Sequence, residues 1–441
     1  MAGTSHRKVV LFALRNALEH NPATVYRTIF VGETAAVIEA FPGWECETVD
    51  IDIDDVSLTK VIALLGCEPA AVFLWADVHH ARLARQIGEL AKKVSPASRI
   101  FAFGRATSFI PQYFERHPFD VVHISGDREA TIASLIANLE DPATPISGAA
   151  IRDGASDSYR RSAPLRLAPA AWPLPALGRM PIEEYGRFAD THHAPGYARR
   201  IAVTAAKGCA WDCAYCSATH EEGGRDRRRG VDVLFDWFAR SRIEGYNCLV
   251  HLYAPDLFVD QEWIRRFAQE YLARASAFSW RGVTTTRTLQ DPATVQEAGA
   301  AGCREVAVGI EHASRRSGNS VKSSIREIEV ASRLTREAGI ALKGLVMLGY
   351  PGQTEDDVLF AEEIADACGI RLRYTGYTPL HRLRKLDVHT LDSIVIESFD
   401  RRTFRDERST LSPAFFYQRI VANGGYHHPR ATAHDPMTIA M

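Results

Sequence analysis

Cys209, Cys213 and Cys216 fall within eight residues at C-x3-C-x2-C spacing. Four thiolates would close a tetrahedral zinc site or fill a cubane iron–sulfur cluster. Three, with no fourth Cys or His at ligand spacing, suit a [4Fe-4S] cluster whose fourth iron is left open to a chelating molecule. A zinc site completed by a distant residue, or cysteines that are merely buried, are the alternatives. The other five cysteines (Cys46, Cys67, Cys248, Cys303 and Cys368) are scattered singly. No disulfide framework is expected from them, and a reducing, cytoplasmic setting is. Cys248 and Cys303 stand beside strand-like runs and read as small buried apolar residues.

The elements that must hold this loop follow from the pattern around it. A β-branched run, Ile201–Ala206, leads directly into the cysteines. Further short apolar runs occur at Leu249–Tyr253, Ser279–Thr285, Glu305–Val308, Leu342–Met347 and Arg371–Tyr377, with helix-period segments between them. Six strand–helix repeats predict a partial (β/α)6 barrel over residues 201–380, followed by a C-terminal segment, 381–441. In barrels of this kind chemistry gathers at the carboxyl ends of strands. The residues found there are Asp256, Arg287, Glu311, the glycines Gly349 and Gly352, and His381. Asp256, Glu311 and His381 are candidate acids or bases. The two glycines would let a loop pass close to a ligand, or would simply serve a proline-containing turn.

Residues 1–140 repeat the alternation. Strands are expected at Val9–Phe12, Glu47–Ile51, Ala71–Leu74, Ile100–Phe103 and Val121–Ile124, with helices such as His80–Val94 and Arg128–Leu139 between them. This predicts a Rossmann-like, flavodoxin-type parallel sheet whose ligands sit beyond the strand carboxyl ends. Residues 141–200 carry dense prolines, including Trp172-Pro173-Leu174-Pro175, and read as an extended linker. The fold class is therefore α/β throughout.

Across its 441 residues the chain is 46% hydrophobic and 24% charged, with a formal net charge of −2, as in ordinary globular proteins. Nothing in that balance favours nucleic acid or an anionic membrane, no apolar run could span a bilayer, and the first residues lack a signal-peptide core. The basic run Arg225–Arg229 reads as a solvated loop, or else as a dock for an acidic electron donor. The doublets His192-His193 and His427-His428 are expected to hold no metal, and Trp263–Tyr271 falls at helical spacing, as core.

The cysteine spacing is followed in order by Tyr253-Ala254-Pro255-Asp256, Thr284–Arg287, Gly309–Ser314, Gly349–Glu355 and Thr378–His381. This series resembles the radical S-adenosylmethionine (SAM) enzymes. Ahead of it, Gly104-Arg105-Ala106-Thr107, Phe119-Asp120-Val121-Val122 and Gly126-Asp127-Arg128-Glu129 resemble the branch with an N-terminal cobalamin-binding-type domain, and Pro175, Pro181 and Tyr185 its connecting segment. The resemblance runs from residue 8 to residue 420. It implies a [4Fe-4S] cluster on Cys209, Cys213 and Cys216, with SAM chelating the open iron. It implies Tyr215 with its backbone near the adenine, and the Gly349–Gly352 loop beside the nucleoside. Glu311 would accept from ribose hydroxyls or the ammonium, or form a structural ion pair. Arg287 would pair with the methionyl carboxylate, or close an ion pair at the barrel rim.

The reaction is less closely specified. The branch usually has a Gly-Gly-Pro turn where this chain has Gly104-Arg105-Ala106, and Arg105 would hinder the close backbone approach a corrinoid needs. The D-x-H-x-x-G signature is absent; Asp77-Val78-His79 follows the third strand and lacks the glycine. The fold is therefore expected to persist without cobalamin, as in the radical SAM diol-dehydratases of aminoglycoside pathways, which the chain resembles. Asp212, Asp256, Asp260 and Glu311 would then pair a cationic aminosugar. A flavodoxin or ferredoxin would supply electrons, and a separate reductase would act on the product. The alternative is a cobalamin-dependent radical C-methyltransferase. A cluster used only as a redox sensor or scaffold is the remaining reading.

Overall fold

In a computed structural model, the structure describes residues 7–14, 28–51, 56–77, 80–154, 158–185, 196–211, 213, 215–243, 247–377, 380–397, 410–422 and 425–429. The chain divides into two compact units, residues 1–253 with 379–403, and residues 254–378 with 404–441.

The first unit is built on a seven-stranded sheet. Its strands are β1 (Arg7–Ala13), β2 (Trp44–Asp50), β3 (Ala71–Trp75), β4 (Arg99–Phe103), β5 (Val121–His123), β6 (Ala149–Arg152) and β7 (Tyr159–Arg161). They lie in the order 2-1-3-4-5-6-7. The first five are parallel, in the flavodoxin-type order expected of a doubly wound sheet. Their central residues are apolar on both faces, because helices cover both sides. Phe73, Phe101 and Phe103 are fully buried and stack edge to face or in parallel, with centroids 4.8–6.5 Å apart.

The last two strands correct the linker expected at 141–200. Residues 149–161 extend the sheet as antiparallel β6 and β7. A parallel sheet edge buries no further backbone polar groups unless another strand pairs with it, and a hairpin does this in few residues. The remaining prolines run as irregular backbone and short 3-10 turns at Pro169–Ala171 and Leu177–Arg179.

Also in this unit, β8 (Arg199–Thr204) pairs in parallel with β11 (Cys248–Tyr253), while β9 (Ala206–Lys207) and β10 (Arg227–Arg228) form a small antiparallel pair. The cysteines lie between β9 and β10. Thr28 binds β8 from the N-terminal segment, its hydroxyl donating to Ala202 O at 2.9 Å and accepting from Ala202 N at 2.6 Å.

The second unit carries β12 (Ser279–Thr284), β13 (Cys303–Glu311), β16 (Ala341–Leu348) and β17 (Arg371–Gly376) in one parallel sheet. A short pair, β14 (Ala313–Ser314) and β15 (Asn319–Ser320), follows β13, and β18 (Tyr426–His427) adds antiparallel to β17. Helices follow β12, β13 and β16. Two begin with capping boxes that the sequence spells out, Ser324 with Glu327 and Thr354 with Asp357. Along the chain β8, β11, β12, β13, β16 and β17 are the six strand–helix repeats of the expected partial barrel.

Candidate active site and ligand cleft

The cysteine loop opens at Gly208, whose φ is +87° and whose missing Cβ would lie 2.0 Å from Arg225 O, so only glycine fits. Gly208 N donates to Glu222 Oε2 at 2.9 Å, and Cys209 N to Gly223 O at 3.0 Å. The Thr219 hydroxyl donates to Trp211 O at 2.9 Å, and Cys216 N to Cys213 O at 2.9 Å. Tyr215 lies in a turn of this loop, partly buried. Cys209 is buried, Cys213 partly buried and Cys216 exposed, and none is in a disulfide. Among the described residues no three His, Cys, Asp or Glu side chains converge as a ready metal cage. Three thiolates repel one another until a cation draws them in, so the donor set fits an iron–sulfur cluster without being preassembled.

A cleft opens in the same unit, at the carboxyl ends of the N-terminal strands. It is bordered by Phe30, Gly104 and the Gly126–Glu129 loop on one side, and by Lys207, Glu221, Glu222 and Tyr253 on the other. Buried charge crosses it. Lys207 Nζ donates to Glu129 Oε2 at 2.6 Å, and Arg128 reaches both Glu129 (2.7 Å) and Glu33 (2.8 Å). Glu33 in turn accepts from the Thr204 hydroxyl at 2.6 Å. Burial pushes the Glu129 carboxyl up, but Arg128 and Lys207 outweigh it and hold it far below the usual range. For Glu33 burial wins and its pKa is raised. His123, hydrogen-bonded to Thr131 at 3.0 Å, is pushed down to about 4 by burial. Burial pushes Glu221 up to about 7, against Arg105.

Two expectations about this region need correcting. Arg225–Arg229 is not a solvated loop. Arg229 is 1% exposed and donates to Thr204 O, Trp172 O and Pro173 O, while Arg227 grips Asp127 through two bonds of 2.8 and 2.9 Å. The Trp172 ring lies beside Lys207, Arg227 and Arg229, at 5.2–5.7 Å from its centroid. Arg105, meanwhile, turns its guanidinium onto Asp77 in a bidentate pair, at 2.6 and 3.1 Å. Val78 and His79 lie outside the described residues. Gly104 and Gly126 have positive φ, and a Cβ at either would collide with the protein's own backbone, at Ala76 O and Leu165 O. Both glycines are therefore required whether or not a ligand is present. The glycine backbone, the Phe30 ring and the polar rim offer a corrinoid a seat, provided Arg105 stays on Asp77.

In the second unit, Asp256, three residues past β11 in sequence, is buried and accepts from the hydroxyls of Thr284 and Thr285 at the end of β12 and of Thr288. Asp260 caps a helix through Trp263 N at 2.9 Å. These bonds, and not a cationic substrate, engage two of the four carboxylates on which the aminosugar expectation rested; Asp212 lies outside the described residues. His381 lies outside the residues whose side chains are described.

Glu311 ends β13 with φ +62°, unusual for a side chain of its size, at a bulge between Gly309 and Glu311. A Cβ on Gly309 would lie 2.3 Å from Glu311 Oε1, so the glycine makes room for that carboxylate. Burial raises the Glu311 pKa, against Lys322 at 3.8 Å. Arg287 is half exposed and faces Glu327 at 3.5 Å. Gly349 (φ +88°) and Gly352 (φ +77°) frame a turn closed by Gln353. The Gln353 side chain accepts from Gly349 N and donates to Met347 O, both at 2.8 Å. Tyr253, whose hydroxyl donates to Glu222, and Gln353 entered the sequence reading only as members of longer motifs, and Glu222 not at all, because single polar residues carry no periodic signal.

Residues 203–364 match the family described as the Radical SAM superfamily. An uncharacterized methyltransferase of Pyrococcus horikoshii is 22% identical over 325 residues, 71% of this chain and 68% of that protein. The cobalamin-dependent SAM radical enzyme OxsB, with aqua-cobalamin bound, superposes with TM-score 0.66 at 16% identity, covering 90% of this chain. This chain spans 57% of OxsB. The radical SAM methyltransferase TsrM of Kitasatospora setae, with cobalamin and a [4Fe-4S] cluster bound, gives TM-score 0.64 at 16% identity over 86% of this chain and 74% of its own. These structural likenesses establish the fold: a Rossmann-like sheet ahead of a radical SAM partial barrel. No helix among the described residues is long and apolar enough to cross a membrane.

Proposed function

The chain carries a radical SAM domain, an enzyme fold that works with a [4Fe-4S] cluster and SAM, and on that premise we propose that it is a cobalamin-dependent methyltransferase acting on a small polar molecule. The observation that carries this reading is the cleft of the first unit. It opens at the carboxyl ends of a 2-1-3-4-5 sheet and is bordered on its far side by residues that flank the cysteine loop. A single ligand seated there touches both the N-terminal domain and the support of the cluster. The homologous methyltransferase and the cobalamin-bearing structural neighbours support the same choice. They weigh against the sequence-based preference for dehydration without cobalamin.

When bound, the cluster and SAM supply an adenosyl radical, and cobalamin supplies a methyl carrier. The chain's own residues do the rest. Cys209, Cys213 and Cys216 hold iron, and Gly208, Glu222 and Tyr253 fix where their loop begins. Glu311 and the turn at Gly349 and Gly352 orient SAM. A flavodoxin or ferredoxin is the proposed electron donor.

Dehydration of a diol is the second reading, favoured by one observation: the Arg105–Asp77 pair puts a charged side chain at a turn where the resembled branch has glycine and proline. Reconstituted enzyme with SAM and a reductant decides between them. Methyl transfer predicts stoichiometric cobalamin, with S-adenosylhomocysteine and 5′-deoxyadenosine among the products. A deoxygenated product unaffected by added cobalamin would select dehydration, and no SAM cleavage at all would overturn both.

A further inference from the structure

Four carboxylates border the cleft of the first unit, and three of them have partners on both oxygens. Glu129 meets Lys207 with one oxygen and Arg128 with the other, at 2.6 and 2.7 Å. Asp127 holds the Arg227 guanidinium through both oxygens and also accepts from Leu167 N at 2.8 Å. Glu222 accepts from the Tyr253 hydroxyl at 2.5 Å and from Gly208 N at 2.9 Å. Glu221 is the exception. Its Oε1 is buried and has no hydrogen-bond partner among the described residues.

An acceptor cut off from water and left unpaired costs free energy that a donor on a ligand restores. Lys207 and Arg128 do not supply that donor, because both face Glu129, and Arg105 forms its bidentate pair with Asp77. The protonation of Glu221 indicates what kind of group fits. Burial pushes its carboxyl up to about 7, against Arg105 and the Ser217 side chain, with Glu222 and Asp77 adding to the rise. A carboxyl that is partly protonated at neutral pH suits a neutral group able both to give and to take a hydrogen bond. A primary amide does both.

We propose that Glu221 binds a primary-amide side chain on the rim of the corrin seated in this cleft. The inference deepens the proposed function and rests on its cobalamin, since the corrin ring is rimmed by such amides. Glu221 belongs to the short helix Ala218–Glu222 that follows Cys216, and its N donates to Ser217 O at 3.0 Å. The corrin is thus gripped at its edge by the segment that continues the cysteine loop, without the close backbone approach that Arg105 obstructs. Glu221 also selects among corrinoids: an amide at this position is accepted, and a carboxylate is repelled by the ionised fraction of Glu221.

The test uses the full-length protein with its cluster reconstituted, and two corrinoids: cobinamide, rimmed by amides, and cobyrinic acid, with carboxylates in their place. Binding is read from the visible absorption of the corrin during titration. Glu221→Leu should weaken cobinamide binding about tenfold, as the loss of this pairing implies. Glu221→Gln still gives and takes hydrogen bonds, so it should hold cobinamide within about twofold of the wild type and bind cobyrinic acid about tenfold more tightly than the wild type does. Far-UV circular dichroism and iron content identify any variant that misfolds. Should Glu221→Leu do so, the shift in preference shown by Glu221→Gln decides alone. Cobinamide binding unchanged in a folded Glu221→Leu, or a preference between the two corrinoids unchanged in Glu221→Gln, would overturn the proposal. Formation of S-adenosylhomocysteine by the wild type with added cobalamin is scored separately. If it forms while the variants bind as the wild type does, only this inference falls; if the wild type binds no corrinoid, the proposed function falls first and this inference with it.

Discussion

Lys207 Nζ and Glu129 Oε2 meet at 2.6 Å across 78 residues of sequence, joining the residue two positions before Cys209 to the helix Arg128–Glu140 that follows β5. The pair is buried on both sides and closes the floor of the cleft. The loop that carries the cysteines and the edge of the N-terminal sheet are therefore one mechanical piece.

Lys207→Met keeps the apolar stem and removes the charge. Glu129 retains Arg128, yet a buried pair broken from one side costs about 3 kcal/mol. Urea unfolding should show that loss, and iron content per folded molecule should drop with it. Full stability and full iron content in the variant would refute the coupling.

Asp256 stands among three threonine hydroxyls, and we expect Asp256→Asn to act on stability. The amide oxygen still accepts while its NH₂ faces hydroxyls that must reorient, a loss of about 1–2 kcal/mol. Turnover per folded molecule, measured as 5′-deoxyadenosine formed, should be retained. Activity lost from a fully folded variant would restore the catalytic assignment.

At Glu311 stability and function are opposed. Its φ of +62° suits glycine, and its carboxyl is held above its ordinary pKa by burial. Glu311→Gly should stabilise the fold by about 1 kcal/mol. The KM for SAM should rise by about tenfold, as a lost hydrogen bond to a charged group implies. A variant neither more stable nor poorer in SAM binding would remove Glu311 from the site.

Acid sensitivity traces to Glu305. Burial pushes its carboxyl up, but Lys343, Arg281 and Arg371 hold it at about 2, against an ordinary 4.5. Because the folded value is the lower one, the stabilisation is complete above pH 4.5 and is lost as pH falls through about 2. The urea midpoint of the wild type should decline over that window, and that of Glu305→Gln should decline less. Parallel declines would exclude Glu305 as the source.

Much of this could be read from residues alone, and for definite reasons. Strands buried on both faces, such as Ala71–Trp75, announce themselves as unbroken apolar runs, and three cysteines at fixed spacing have few other uses. What stayed hidden depends on partners far away in sequence. β6 and β7 are four and three residues long and sit among prolines, so no period could register. Arg229 looks like part of a charged loop until Trp172 and Pro173, 57 and 56 residues earlier, supply the carbonyls that bury it. Lys343 looks like a surface residue until Arg371 and Arg373 come alongside on the neighbouring strand. Asp256 was taken for chemistry because its place at a strand end is visible, while its three threonines are recognisable only once β12 folds beside it.

The clamps on the cysteine loop set the order of assembly. Gly208, Cys209 and Thr219 are tied down by backbone and carboxylate bonds that involve no metal. The two ends of the loop that receives iron are thus fixed by the polypeptide itself, and only the three thiolates are left for the metal to draw together. Oxidative loss of the cluster then becomes a repairable injury: iron and sulfide must be resupplied, but the protein need not be remade.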